Sequence, residues 1–128
     1  MAGGIADAPH LPGPAPIDAY GNGGFRFADM SHRGSLLCLP DGVWAWPVKE
    51  PSEITAATLE LVFARGDVLD VFLIGAGRDP WPIPQRLRER FRASSISVDA
   101  MPTGAVVRTY NVLLAEDRRV GAAMIAVD

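Results

Sequence analysis

Cysteine is almost missing from this chain: Cys38, inside "GSLLCLP", is the only one. A disulfide framework is thereby excluded, and so is a cysteine-based zinc cluster within one chain. A lone cysteine in an apolar run reads as a small buried hydrophobe, and the usage fits a reducing compartment. Long apolar runs are missing too, and none approaches the roughly 20 residues of a membrane span. The N-terminus lacks the basic and apolar regions of a secretory signal, so none is expected. The excess of charge of one sign is small, with 12 basic against 15 acidic residues. A net charge of -3 is too mild to argue for nucleic acid or an anionic membrane surface. Histidine is limited to His10 and His32, in loop-like contexts with no second ligand at metal spacing, and both read as solvated. Ser-x-Gly nucleophile elbows, paired histidines and Cys–His pairs are absent. No catalytic residue, metal or cofactor is assigned, and an enzymatic role is left open.

What is present describes one domain. The chain has 128 residues, 48% hydrophobic and 21% charged, the profile of a globular protein with a single core. Residues 1–24 hold six glycines and four prolines, with little apolar area to offset ordering entropy. Residues 1–16 read as a flexible tail and 17–128 as the domain. Strand-like runs follow at Phe25–Phe27, Ser35–Leu39 and Val43–Trp46, and "PDG" at 40–42 turns the last two into a hairpin. Trp44 and Trp46 share one strand face, packing on the core or forming a partly exposed aromatic platform.

From residue 55 the pattern alternates. A helix is expected over 55–64, ended by Gly66, then a strand over 68–74 and a helix over 84–93 burying Leu87 and Phe91. A strand at 96–99, a helix at 103–116 capped by Thr103 and a strand at 120–127 complete the chain. That order predicts an α/β fold. It is a single three-layer domain with a mixed, mostly parallel sheet, covering helices and an N-terminal antiparallel β-hairpin, which joins the sheet or forms a second layer.

Three stretches bear on function. In "VFLIGAGRDPWP" a strand delivers Gly75 and Gly77 to its carboxyl end, where open α/β sheets build their sites. Asp99, 24 residues past Gly75, resembles the acid of a dinucleotide fold. Pro80 stands where the third glycine of G-x-G-x-x-G belongs, however, and the helix starts late. A tight turn at a pocket rim is the preferred reading. Helix 103–116 combines a polar face of Thr103, Arg108 and Asn111 with Gly104, where a small anion can approach the helix N-terminus. An ordinary capped amphipathic helix is the alternative. Gly75, Gly77, Thr103, Gly104, Arg108 and Asn111 are the candidate pocket residues. Finally, "RDPWPIPQRLRERFR" offers Trp81, Arg86 and Arg90 as a candidate surface for an acidic partner, against a solvated helix face paired through Glu89.

The run "TGAVVRTYNVLLAEDRRVGAAMI", residues 103–125, resembles the small single-domain Mth-like family of unknown function, which includes a mitochondrial complex I assembly factor. "GSLLCLPDGVWAW" and "FLIGAGRD" are similar to that family's hairpin and glycine turn, so the likeness spans about 17–127. Ala76 replaces the threonine many members carry between the glycines, and Val106-Val107 replaces Ala-Cys. Catalysis through those positions is therefore not carried over. The resemblance implies a three-layer α/β domain and a non-catalytic interaction protein helping to assemble a respiratory complex. It would have a protein partner, such as a respiratory-complex subunit, and a cytoplasmic location peripheral to the inner membrane. The other reading is a small-molecule or anion-binding protein or enzyme with its pocket at the glycine turn.

Overall fold

A computed structural model describes residues 9–128. Its centre is set by strands buried on both sides. In β4 (Ser35–Leu39) every residue is buried, and the period of two sends Leu36 and Cys38 to one face and Leu37 and Leu39 to the other. β5 (Gly42–Trp46) folds back on β4 antiparallel, as the Pro-Asp-Gly turn requires. β6 (Val71–Gly75), β7 (Ser97–Met101) and β8 (Val120–Met124) complete a five-stranded sheet of order β5-β4-β8-β6-β7. The β8–β6 and β6–β7 pairs are parallel, whereas β4 meets both β5 and β8 antiparallel. The hairpin thus extends the main sheet.

One face is covered by α1 (Glu60–Phe63) and α2 (Gln85–Ala93). Leu87 and Phe91 of α2 pack over Phe72 and Ile74, and Phe91 lies 5.7 Å from the Phe72 ring and 4.8 Å from Phe63. Trp44 and Trp46 belong to this core. The Trp46 indole N–H donates to the Thr58 carbonyl at 2.8 Å, so the exposed-platform alternative fails. The other face is covered by α3 (Thr103–Ala115), which buries Val106, Val107 and Tyr110, and by a second, three-stranded sheet.

That small sheet comprises β1 (Ala19–Gly21), β2 (Gly24–Phe27) and β3 (Met30–Arg33), all antiparallel. Phe25 and Phe27 point into the core while Arg26 faces out. Only β2 was expected from the sequence. β3 follows a two-residue turn in which Ala28 and Asp29 both take positive φ (47° and 61°), the geometry usually written Asn-Gly.

Two further differences have local causes. The helix expected over 55–64 is a 3-10 turn at Ala57–Leu59 followed by the single turn of α1. The Thr58 hydroxyl donates to the Thr55 carbonyl (2.9 Å), and the Thr58 carbonyl is taken by Trp46, so the regular helical ladder is broken there. Of the expected tail, residues 1–8 lie outside the described residues. Residues 9–16 run beside β5, where the His10 N–H donates to the Val43 carbonyl (2.7 Å) and Ala15 is buried.

Candidate functional site

The glycine turn is held from within. A Cβ on Gly75 would stand 3.1 Å from the Thr103 Cα and 3.4 Å from the Met124 Cα, so glycine lets the first turn of α3 lie against the ends of β6 and β8. Gly77 has φ +93°, a conformation that glycine adopts without strain. Thr103 is fully buried beside it. Its hydroxyl donates to the Ile125 carbonyl (2.8 Å) and accepts from the Gly77 N–H (3.1 Å), while its own N–H donates to the Gly77 carbonyl (2.8 Å). The Ala76 N–H donates to the Met101 carbonyl (3.0 Å). The amides a phosphate loop would offer are therefore engaged inside the protein, and α2 begins only at Gln85. Asp99 lies in the middle of β7, where its carboxylate accepts from the adjacent Ala100 N–H at 2.9 Å.

The six candidate pocket residues divide. Thr103 and Gly75 bind the strand ends together, and Thr103 is the first helical residue with Pro102 as N-cap, not the cap itself. Asn111 clamps the N-terminal segment: its side-chain oxygen accepts from the Ile17 N–H (2.9 Å) and its NH2 donates to the Ile17 carbonyl (2.8 Å). Gly77, Gly104 and Arg108 do come together, lining a depression of about 480 Å³ with Arg78 and Tyr20. A Cβ on Gly104 would press on the Tyr20 ring.

Arg78 and Tyr20 are the members that sequence reasoning did not place in the site. Arg78 directly follows Gly77, and that adjacency was the available signal. Tyr20 is 42% exposed on the three-residue β1, and only the tertiary fold carries it to α3. Arg78 donates to the Asp128 backbone oxygen at 2.6 Å. Arg108 is exposed and enters no ion pair among the described residues.

Of the candidate partner surface, Trp81 is half-buried against the α2-side core. Arg90 lies 4.4 Å from the Phe63 ring centre and donates to the Ser94 hydroxyl (3.3 Å), while Arg86 is exposed and enters no ion pair among the described residues. Two groupings were not anticipated. His10 and His32, expected as solvated residues, stand with ring centres 4.9 Å apart, a contact that joins segment 9–16 to β3. The His32 ring nitrogen contacts the Ser35 carbonyl at 3.1 Å. Burial lowers the His32 pKa, with the neighbouring His10 adding to the effect against that contact. Cys38 is buried beside Tyr110, whose hydroxyl is buried without a nitrogen or oxygen hydrogen-bond partner among the described residues. Burial pushes the Cys38 thiol up to about 12, and burial together with Cys38 raises the Tyr110 phenol. No group of three or more metal-ligating side chains occurs among the described residues.

The family model described as a protein of unknown function, DUF498/DUF598, matches residues 17–125. The chain belongs to that family. An uncharacterized protein of Rhodobacter capsulatus is 36% identical over 117 residues, covering 91% of this chain and 89% of that protein. The NADH dehydrogenase (ubiquinone) 1 alpha subcomplex assembly factor 3 of Mus musculus is 27% identical over 85% of this chain, which spans 59% of that relative's length. A crystal structure described as an outer membrane protein from Bartonella henselae is 51% identical with a TM-score of 0.90, covering 93% of this chain and 100% of that one. A Mth938-like domain from Bordetella pertussis superposes with a TM-score of 0.77 at 27% identity, covering 96% and 92%. The resemblance read from residues 103–125 is thereby borne out. No described helix is long and apolar enough to cross a membrane.

Proposed function

We propose that this DUF498/DUF598 protein is a non-catalytic interaction protein that assists assembly of a respiratory, complex I-like membrane complex, acting at the periphery of the inner membrane. The observation that carries the reading is the similarity to the NADH dehydrogenase assembly factor 3 of Mus musculus over 85% of the chain. The chemistry of the surface supports it. Arg86, Arg88, Arg90 and Arg92 are all exposed on α2, and none is in an ion pair among the described residues. Guanidinium groups of this kind suit an acidic protein surface, where complementary charge raises association rate and specificity. Trp81, at the edge of α2, supplies a half-buried aromatic beside them. The partner would be a subunit of the complex.

Affinity capture with the intact protein from detergent-solubilised native membranes tests this. Subunits of a respiratory complex are expected in the eluate, and the double charge reversal Arg86→Glu/Arg88→Glu should reduce their recovery. Recovery of no respiratory subunit by the unmodified protein would overturn the reading.

A further inference from the structure

The three parallel strands β8, β6 and β7 end side by side, at the place where open α/β sheets hold their ligands. The segments leaving them diverge: the chain after β6 leads to α2 on one face of the sheet, and the chain after β7 enters α3 on the other. Arg78 after β6, Gly104 after β7 and Val127 after β8 line the depression of about 480 Å³ described above, with Tyr20 from β1 and Arg108 from α3. Every strand of the parallel part of the sheet thus contributes to one opening, which also receives a side chain from the second sheet.

The contents of this cleft are selective. Two arginines on separate elements line it, and a guanidinium is a rigid planar fork of N–H donors that matches a carboxylate or phosphate. Arg108 has no carboxylate partner among the described residues. Arg78 directs one N–H at the Asp128 backbone oxygen, which leaves other donors on its guanidinium, and Asp128 itself lines the depression, so one acidic residue shares the cleft with the two arginines. The Gly104 N–H, in the first turn of α3, has no acceptor among the described residues, and the absence of a side chain there is what lets the Tyr20 ring pack against the helix backbone. Tyr20 stands against Gly104 with its hydroxyl at the same place. No group of three or more metal-ligating side chains accompanies them among the described residues.

We propose that this cleft is a binding site for a small dianionic molecule, bearing a phosphate or two carboxylates, gripped between Arg78 and Arg108 with the Tyr20 hydroxyl and Gly104 amide donating to it. The site is separate from the α2 arginines, so it stands or falls independently of the assembly reading.

The test is a titration of the isotope-labelled protein with inorganic phosphate and, separately, malonate, each at constant ionic strength so that simple screening is held fixed. Saturable shifts of the Gly77 and Gly104 amide signals are expected with at least one probe, and which probe binds more tightly distinguishes phosphate from dicarboxylate chemistry. Arg108→Gln and Arg78→Gln should each weaken binding about tenfold, the loss of one charge-assisted contact. Arg88→Gln on α2 should leave it unchanged. Thermal unfolding of each variant confirms that it is folded. Absence of saturable shifts with both probes would overturn the proposal, as would equal binding by a folded Arg108→Gln or an equal loss in Arg88→Gln.

Discussion

Thr103 shows how one buried hydroxyl can organise a junction. It joins the end of β6 to the segment after β8 by accepting from the Gly77 N–H and donating to the Ile125 carbonyl. Thr103→Val preserves shape and removes both bonds, leaving the Ile125 carbonyl unpaired in the interior and the Gly77 N–H unpaired at its edge. The expected loss is about 2–4 kcal/mol in urea unfolding, since each orphaned group costs about 1–3 kcal/mol. Thr103→Ser, which keeps the hydroxyl, should retain most of that stability. Cys38 makes the contrasting case of a buried thiol set beside the Tyr110 hydroxyl. Fully buried, with its thiol pushed up to about 12, it should resist an aromatic disulfide reagent in the folded protein and react at once in denaturant. Fast labelling under native conditions would contradict the packing described for β4.

At the scale of elements, the least regular part of the chain is the most instructive. Segment 9–17 forms a strap over β3 and β5, tied by the Val43 bridge, by Asn111 at Ile17 and by the contact of His10 with His32. The folded state disfavours protonated His32 because the ring is partly buried and faces His10. The folded pKa is depressed below 6.5, so the unfolded chain binds the proton more readily. The resulting stabilisation is present above pH 6.5 and is lost as pH falls through the lower folded value. The urea midpoint should therefore fall between pH 7 and pH 5, with His32→Gln reducing the dependence while keeping a donor for the Ser35 carbonyl. An unchanged dependence in that variant would remove His32 as the cause. By comparison, the half-exposed Arg65–Asp41 pair is worth at most about 1 kcal/mol and sets no register by itself.

The whole molecule is one sheet with two unlike coverings. On the α2 side an aromatic cluster of Phe63, Phe72 and Phe91 closes the core, and Phe91 is fully buried at its centre. Phe91→Ala should cost about 3–5 kcal/mol, from lost transfer energy and the cavity left behind. Against a total stability of about 5–15 kcal/mol, that should lower the thermal midpoint of the whole domain in a single transition. A separate early transition confined to α2 would show that the two coverings do not share one cooperative core.

Much of this molecule follows from local rules. The burial of both faces of β4, the Pro-Asp-Gly hairpin, the apolar stripe of α3 and the alternation of helix and strand after residue 55 depend on period and turn chemistry within a few residues of each other. The family was also legible, because residues 103–125 carry a long run in one continuous stretch. What the tertiary structure decided was every question of convergence. Thr103 and Asn111 have the polar side chains of a pocket, yet close packing turns both toward backbone groups that would otherwise be unpaired. Arg78, Arg108 and Tyr20 are far apart in the chain and meet because the strand order brings the ends of β8, β6 and β7 together and lays β1 across α3. No local pattern records that order, since it follows from how the hydrophobic faces of distant elements are buried against one another.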